Sequence, residues 1–252
     1  MAEFFIYPKA DFYNVEPVGG ALSSTNFAED TDVTNESRLT DQSTSLAADF
    51  PANFDTVRFD LGSTDKTFDS IAVYANGSDT DDLNFYGSSS ATSGLSFISG
   101  SNFADTFSEG WNVRADAMSN DTRYVFMRGT GALAIFTEVI IGTKLALTNV
   151  NLSGSEGVNY GNETLVSEGG QEFSHQKHGA KKFWHFSLNH VSETYKTNLE
   201  AMRDAVDGSH YKFLYYDGSS YNYVRMSTDS LRFKEVAVGV YNTRIKLTEQ
   251  LS

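Results

Sequence analysis

Apolar and polar residues alternate along several short segments, which is the period that places one set of side chains on one face of a β-strand. The clearest segment is Val57-Arg58-Phe59-Asp60-Leu61, which Gly62 ends. Clusters of Gly, Ser, Asn and Asp separate most of the segments, and such turns between many short strands predict a sandwich or a barrel. The predicted strands of this part are Val57 to Leu61, Ile71 to Tyr74, Leu83 to Tyr86, Leu95 to Ile98, Tyr124 to Met127 and Ile135 to Ile141.

Two polar stretches interrupt this pattern. Residues 20–52 are rich in Ser, Thr, Asn and Asp, which is typical of an irregular surface loop rather than of core. Asn149 to Gly157 is a second polar stretch, and it follows the last strand of the first group. We therefore predict two domains, residues 1–148 and residues 149–252.

The second domain contains the one segment with helical periodicity. Tyr195, Leu199, Met202 and Val206 are spaced by four, three and four residues, so they form one apolar stripe. Ser192 is a suitable N-cap and Gly208 suits the left-handed residue that ends a helix. The pattern predicts an amphipathic helix over residues 192–207, lying on a sheet.

Strands are predicted on both sides of this helix. Phe183 to Leu188 alternates before it, and after it Asp217-Gly218-Ser219-Ser220 separates two apolar segments, which indicates a β-hairpin. The helix should therefore be followed by a four-stranded meander, whose strands are Tyr211 to Tyr216, Tyr221 to Met226, Leu231 to Val236 and Tyr241 to Leu247.

Composition supports a mainly β protein and excludes several functions. The 19 Phe and 13 Tyr favour pleated sheets. A formal net charge of −14 argues against nucleic-acid binding and against anionic membranes. The absence of cysteine excludes disulfides and thiolate metal sites, and no stretch has the length of a membrane span. The first residues lack the pattern of a secretory signal, so we expect no classical export.

No motif indicates catalysis. The sequence has no Gly-x-Ser-x-Gly elbow and no phosphate-binding loop of the Walker or dinucleotide type. His175, His178, His185 and His190 lie close together, but neighbouring lysines oppose a bound cation, so a surface loop is the favoured interpretation. We expect a protein that is not an enzyme.

Asp79, Asp81 and Asp82 form an acidic run after Asn76-Gly77. Their oxygens are suitable calcium ligands, although the spacing does not match an EF-hand. A solvated acidic turn is the favoured interpretation, a calcium site is the alternative, and no other cofactor is indicated.

The predicted hairpin is rich in tyrosine. Since alternate residues of a strand point to opposite faces, about half of these rings would be exposed unless another layer or subunit covers them. We therefore predict a subunit interface at Tyr215, Tyr216, Tyr221 and Tyr223.

Several short sequence motifs of the first domain resemble those of the discoidin branch of galactose-binding-like jelly rolls, also called the coagulation factor C-type. They are Val57 to Gly62 with its Asp-Leu-Gly, Ile71 to Tyr74, Asn84 to Ser89, Arg123 to Arg128 and Ile135 to Gly142. The resemblance implies an antiparallel jelly-roll β-sandwich without catalytic residues, which binds glycans or other surfaces through loops at one end. The whole chain is then mainly β, a sandwich followed by a smaller β-rich domain with one helix.

The second domain is similar to terminal domains of tail-tip and baseplate proteins of tailed phages. The similarity lies in Trp184 to Leu188, the helix through Met202, Phe213 to Gly218, Val224 to Met226 and the ending Leu247-Thr248-Glu249. It implies a structural virion protein of the tail, assembled in the host cytoplasm. Such a protein forms a homo-oligomeric ring or adaptor that contacts the tail tube, hub or fibre and contributes to host attachment. The alternative is a carbohydrate-binding protein that recognises surface glycans through the jelly-roll loops.

Overall fold

The computed structural model describes most of the chain, in two compact units. The described residues are 3–8, 14–17, 39, 40, 42, 43, 45, 48, 56–62, 64–77, 82–90, 95–99, 101–103, 107–129, 136–148, 150–228 and 230–250. Phe5–Leu145 form the sandwich unit, and Ala146–Leu251 with Glu3 and Phe4 form the helix unit. These units are defined by contacts within the folded chain, whereas a domain is a part of the chain that can fold alone. The domains 1–148 and 149–252 therefore stay a prediction.

Two sheets make up the sandwich unit. Its strands are β1 (Phe4–Pro8), β2 (Asn14–Pro17), β3 (Thr56–Asp60), β4 (Lys66–Ala75), β5 (Leu83–Ser88), β6 (Ser96–Phe97), β7 (Gly110–Thr122), β8 (Tyr124–Gly129) and β9 (Phe136–Ala146). One sheet has the order β1-β9-β4-β7 and the other the order β2-β3-β8-β5-β6. All neighbours of the second sheet are antiparallel, and β4 is antiparallel to both β7 and β9.

One hydrophobic core lies between the two sheets. Phe59 and Phe85 enter it from the second sheet, and Ile71 and Val139 enter it from the first. These residues occupy alternate positions of their strands, so the predicted sandwich and its inward-facing positions are confirmed.

The prediction of a loop without core residues over 20–52 is wrong for two residues. Leu39 and Ala48 are buried in the core of the sandwich unit, and the Ala48 amide donates a hydrogen bond to the carbonyl of Phe136 (2.9 Å). Isolated apolar residues in a polar stretch have no periodicity that would reveal their burial. Most of the remaining residues of this stretch lie outside the described part of the chain.

The helix unit consists of antiparallel strands and one helix. Its elements are β10 (Val150–Asn159), β11 (Asn162–Val166), β12 (Glu172–Gln176), β13 (Lys181–Ser192), α1 (Glu193–Ala205), β14 (Phe213–Tyr216), β15 (Tyr221–Met226), β16 (Lys234–Ala237) and β17 (Val240–Glu249). The sheet order is β10-β13-β17-β15-β14, β16 also pairs with β17, and β11 and β12 form a separate hairpin.

Helix α1 begins as predicted, and its left-handed stop comes one residue earlier than predicted. The Ser192 hydroxyl accepts a hydrogen bond from the Tyr195 amide (3.2 Å), so Ser192 is the N-cap. After the C-cap Val206, the left-handed residue is Asp207 (φ 47°), and its amide donates to the Asp204 carbonyl (3.2 Å). Gly208, the predicted stop, is also left-handed (φ 63°), one residue later, and its amide donates to the Arg203 carbonyl (2.9 Å). Leu199 and Met202 are buried, which confirms the apolar stripe. No helix in the described part of the chain is long and apolar enough to cross a membrane.

Two predictions for the helix unit are wrong. Asn149 to Gly157 is not a polar linker, since strand β10 covers most of it and pairs with β13. An edge strand tolerates polar side chains because its backbone hydrogen bonds do not depend on them. The last four strands do not form a simple meander either, because β15 pairs with β17 rather than with β16. The overall fold class, a mainly β chain with a sandwich followed by a β-rich region with one helix, is confirmed.

Candidate functional site

Four side chains form a row across the outer face of the second sheet of the sandwich unit. The register pairs Arg58 of β3 with Phe126 of β8, Phe126 with Tyr86 of β5, and Tyr86 with Phe97 of β6. We call these four residues the outer row. Neighbouring strands are about 4.8 Å apart, so the outer row is about 14 Å long.

The outer row is exposed at the Phe97 end. Phe97 is 49% exposed, and its ring meets Tyr86 edge to face with centroids 5.7 Å apart. Phe126 is fully buried, with Tyr86 and Leu95 packed against its cluster. The inner residues therefore hold the exposed rings in place, as a rigid apolar surface requires.

A fixed polar group lies beside the outer row, one row further along the same face. Asp60 faces Tyr124 in the register. Arg123 donates two hydrogen bonds to the Asp60 carboxylate, at 3.0 Å from Nε and 2.8 Å from Nη2. Its guanidinium carbon also lies 4.6 Å from the centre of the Tyr124 ring, and that of Arg58 lies 5.4 Å from it. Both arginines are thus held by cation–π contacts on the same ring.

Asp60 is ionised at neutral pH with a wide margin. The hydrogen bonds from Arg123 lower the pKa of Asp60, partial burial opposes this effect, and the Gly62 amide and the charges of Arg123 and Arg58 add to the lowering. The carboxylate and the guanidinium therefore present a fixed acceptor and a fixed donor group next to the apolar rings.

Neither the outer row nor its register was predicted, although the sequence contained a partial signal. Asp60 and Arg123 both belong to the sequence motifs that resemble the discoidin family, and the structure joins them across 63 residues. The alternation in β3 places Arg58 and Asp60 on the outer face. Only strand pairing shows which residues of other strands lie beside them.

The predicted calcium site is described only in part. Asp79 and Asp81 lie outside the described residues, and Asp82 is a partly exposed residue just before β5. Among the residues that the structure describes, no group of three or more His, Asp or Glu could hold a metal ion. Calcium binding at Asp79, Asp81 and Asp82 stays a prediction.

Three of the four tyrosines predicted at an interface are buried by this chain itself. Tyr215 packs edge to face against Trp184 (5.4 Å) and Phe186 (5.2 Å), and Tyr216 stacks on Phe4 (4.9 Å). Tyr215, Tyr216 and Tyr223 are at most 8% exposed. The hairpin is covered on both faces, so these three rings are core, and the interface prediction stays open only for the partly exposed Tyr221.

The predicted turn at Asp217 is confirmed and held by hydrogen bonds. The Asp217 carboxylate accepts from the amides and hydroxyls of Ser219 and Ser220 and from the side-chain amide of Asn222. Burial alone would raise the pKa of Asp217, but these hydrogen bonds outweigh it and hold the pKa well below its usual range. The group stabilises the β14–β15 turn.

Three exposed apolar residues of the helix unit lie together at a place that was not predicted, the β11–β12 hairpin. Leu165 of β11 faces Phe173 of β12, and they are 55% and 58% exposed. The neighbouring Val166 is 63% exposed. Within the described residues these two strands pair only with each other. The histidines nearby lie at the surface, where His175 is 3.8 Å from Glu163.

The chain is similar to several carbohydrate-binding modules of known structure. CpGH89CBM32-6 of Clostridium perfringens is 16% identical, over 51% of this chain and 90% of that module, with a TM-score of 0.38. The CBM32 of AlyQ, solved in complex with 4,5-unsaturated mannuronic acid, is 17% identical over 52% and 95% of the two chains, with a TM-score of 0.38. Chitosan-binding module 1 of a chitosanase/glucanase from Paenibacillus sp. IK-5 is 12% identical over 54% and 98%, with a TM-score of 0.39. No protein-family model and no curated protein matches the sequence.

Proposed function

We propose that the sandwich unit binds carbohydrate, without catalysis, at the outer row and the adjoining Asp60–Arg123 pair. The observation that carries the proposal is the outer row itself, which has half-exposed Phe97 and partly exposed Tyr86 toward one end. The ionised Asp60 carboxylate and the Arg123 guanidinium lie beside the other end, on the side of β3. A sugar ring has apolar C–H faces and a rim of hydroxyls. The aromatic rings complement the former and the Asp60–Arg123 pair complements the latter.

The length of the outer row favours a short oligosaccharide over a single sugar. A row of about 14 Å spans four strands, and its partly exposed members, Arg58, Tyr86 and Phe97, cover both ends. The discoidin resemblance also implies contacts from loops at one end of the sandwich. Residues 78–81, 91–94 and 130–135 lie outside the described part of the chain, so that contribution stays a prediction.

Replacing the exposed rings should abolish sugar binding without unfolding the sandwich. We expect Phe97→Ala and Tyr86→Ala each to weaken binding at least about tenfold, since burying one such side chain is worth about 1.5–3 kcal/mol and each 1.4 kcal/mol is tenfold. A glycan array should first identify a ligand, and titration calorimetry should then measure its affinity for each variant.

Trp111→Ala is the matched control, because Trp111 is a partly exposed aromatic residue of β7 in the other sheet of the same unit, 5.3 Å from Tyr74. It should leave the affinity unchanged. If Trp111→Ala abolishes binding while Phe97→Ala does not, the site lies on the other sheet and the outer row has no such role. Absence of any glycan ligand on the array would overturn the proposed function altogether.

The exposed hairpin favours assembly of copies of this chain as a second candidate function. An isolated two-stranded hairpin is at best marginally stable in water, and exposed apolar patches commonly mark interaction sites. Leu165 and Phe173 face each other across β11 and β12 and are both more than half exposed. A second copy of the chain would cover them. A homo-oligomeric ring at the tail tip, as predicted from the sequence, would be one specific assembly of this kind.

Polar substitutions on the hairpin should therefore dissociate the assembly. We expect Leu165→Ser and Phe173→Ser to convert an oligomer into a monomer, as measured by native mass spectrometry. Val238→Ser is the control, because Val238 is 98% exposed in the β16–β17 turn and away from the hairpin. A wild-type chain that stays monomeric at every concentration would contradict the assembly.

A further inference from the structure

The helix unit contains a cavity of about 730 Å³ with three basic side chains in its lining, and this cavity plays no part in the function proposed above. Arg244 lies on β17, Lys234 lies on β16, and Arg232 precedes β16 by two residues. The register pairs Lys234 of β16 with Asn242 of β17. Asn242 and Arg244 are two residues apart on β17, so they lie on the same face of the sheet. The backbone positions of such diagonal neighbours are about 7–8 Å apart, so Lys234 and Arg244 lie close together, and Arg232 lines the same cavity.

No acidic side chain neutralises these cations among the residues that the structure describes. Arg232, Lys234 and Arg244 take part in none of the ion pairs of the described residues, and none of the lining residues is an aspartate or glutamate. Asp229, in the segment before Arg232, lies outside the described residues. Three like charges that line one cavity repel one another, and a bound anion would relieve the repulsion.

The concentration of charge is notable because the whole chain is acidic. Residues 1–145 hold 8 basic and 21 acidic residues, a formal charge of −13, whereas residues 146–252 hold 11 basic and 12 acidic residues, a formal charge of −1. The acidic excess thus belongs almost wholly to the first part of the chain. A basic cavity in the second part is compatible with a net charge of −14.

The other side chains of the cavity wall are hydroxyls and amides. They include Ser187 and Asn189 of β13, Thr228 and Ser230, and Asn242 and Thr243 of β17. None of the described residues that line the cavity has an aliphatic or aromatic side chain. The lining thus lacks the aromatic side chains that are enriched at the centre of protein interfaces and on which neutral sugars stack.

We propose that this cavity binds an acidic saccharide, with the basic residues Arg232, Lys234 and Arg244 on its carboxylate or sulfate and the hydroxyl and amide groups on its sugar hydroxyls. An arginine beside an oxyanion makes paired charge-assisted hydrogen bonds, which also orient the ligand. The site is separate from the outer row, since the two belong to different units of the chain.

The test measures calorimetric binding of three probes to the full chain: an oligogalacturonate, which carries carboxylates; a sulfated tetrasaccharide; and an uncharged cello-oligosaccharide. We expect at least one acidic probe to bind and its affinity to fall as NaCl is added. Arg244→Gln and Lys234→Gln should each weaken it about tenfold, because each removes a charge-assisted hydrogen bond to the anion. Comparison of the two acidic probes identifies the preferred anion.

Arg203→Gln is the charge-matched control, since Arg203 lies on α1, pairs with Asp204 and does not line the cavity. It should bind like the wild type, and so should Phe97→Ala, which alters only the outer row. The proposal fails if Arg203→Gln weakens binding as much as Arg244→Gln, if Phe97→Ala abolishes it, or if the uncharged probe binds equally well. It also fails if Arg244→Gln dissociates an oligomer without changing saccharide affinity, because the cavity then receives the acidic part of a second copy.

Discussion

Phe59→Ala should destabilise the sandwich unit by about 3–5 kcal/mol, the range for truncating a fully buried aromatic residue. Phe59 is completely buried between the two sheets and projects from β3 opposite to its neighbours Arg58 and Asp60. Its removal leaves a cavity that the paired strands β2, β3 and β8 cannot close, because interiors are close-packed. A loss of this size is a large part of the stability of an ordinary domain.

Hydrogen exchange measured by mass spectrometry suits this prediction, because it follows peptides of β3 and β8 separately from peptides of the helix unit. Faster exchange should appear in β3 and β8. Phe97→Ala is the matched control: the same side chain is removed from a half-exposed position, and exchange in β3 and β8 should change little. Equal effects of the two variants would contradict the assignment of Phe59 to the core and of Phe97 to a binding surface.

The two variants also separate stability from function. Phe59→Ala should reduce sugar binding only through loss of folded sandwich, whereas Phe97→Ala should lose binding while the sandwich stays folded. The separation follows from the strand geometry, since β3 projects Phe59 to one side and Arg58 and Asp60 to the other. One strand thus contributes to both the core and the candidate site.

Alternation along single strands was sufficient to predict the core of the sandwich. Val57 and Phe59 alternate with polar residues, and both are buried as predicted. Capping chemistry was likewise sufficient for the start of α1, since the Ser192 hydroxyl acts within one helical turn of the amide that it caps. It gave the left-handed stop to within one residue, because Asp207 precedes Gly208 in that conformation. These are local properties, and local properties can be deduced from sequence.

The outer row could not be deduced, because it depends on register between strands that are distant in sequence. Alternation assigns a residue to a face of the sheet only where polar and apolar residues alternate along the strand. Strand β8 does not alternate in this way, because it is apolar at nearly every position and is buried continuously from Tyr124 to Met127. The sequence therefore does not show which face of the sheet Phe126 lies on. The neighbour relation between Tyr86 and Phe97 exists only through the pairing of β5 and β6. Candidate sites built across strands are therefore less accessible to sequence reasoning than cores.

The basic cavity of the helix unit was missed for a related reason. Net charge summed over the chain concealed a local excess of cations, since Arg232, Lys234 and Arg244 are brought together by the pairing of β16 and β17. Arg244 also faces Ser187 across the pairing of β17 with β13. The net charge of the chain describes its surface on average. The charge of a particular face depends on which residues strand pairing brings together there.

Strand β1 was not predicted, and Gly142→Ala should test its position with a large effect. A Cβ at Gly142 of β9 would overlap the carbonyl oxygen of Tyr7 in β1 and would lie 2.7 Å from the carbonyl carbon of Tyr7. Both are backbone atoms, so no side-chain rotation can relieve the overlap, and β1 must move away from β9. We expect a loss of about 3 kcal/mol, at the upper end of the usual cost of overpacking.

The measurement is amide exchange of Phe5 and Ile6, which should accelerate strongly in Gly142→Ala, together with a lower urea midpoint for the sandwich unit. Gly169→Ala is the control, because a Cβ there would meet only the Ser167 hydroxyl, at 3.9 Å. Unchanged exchange of β1 in Gly142→Ala would mean that β1 does not lie against β9. The sheet order β1-β9-β4-β7 would then be wrong at its first strand, while the outer row, which lies in the other sheet, would keep its geometry.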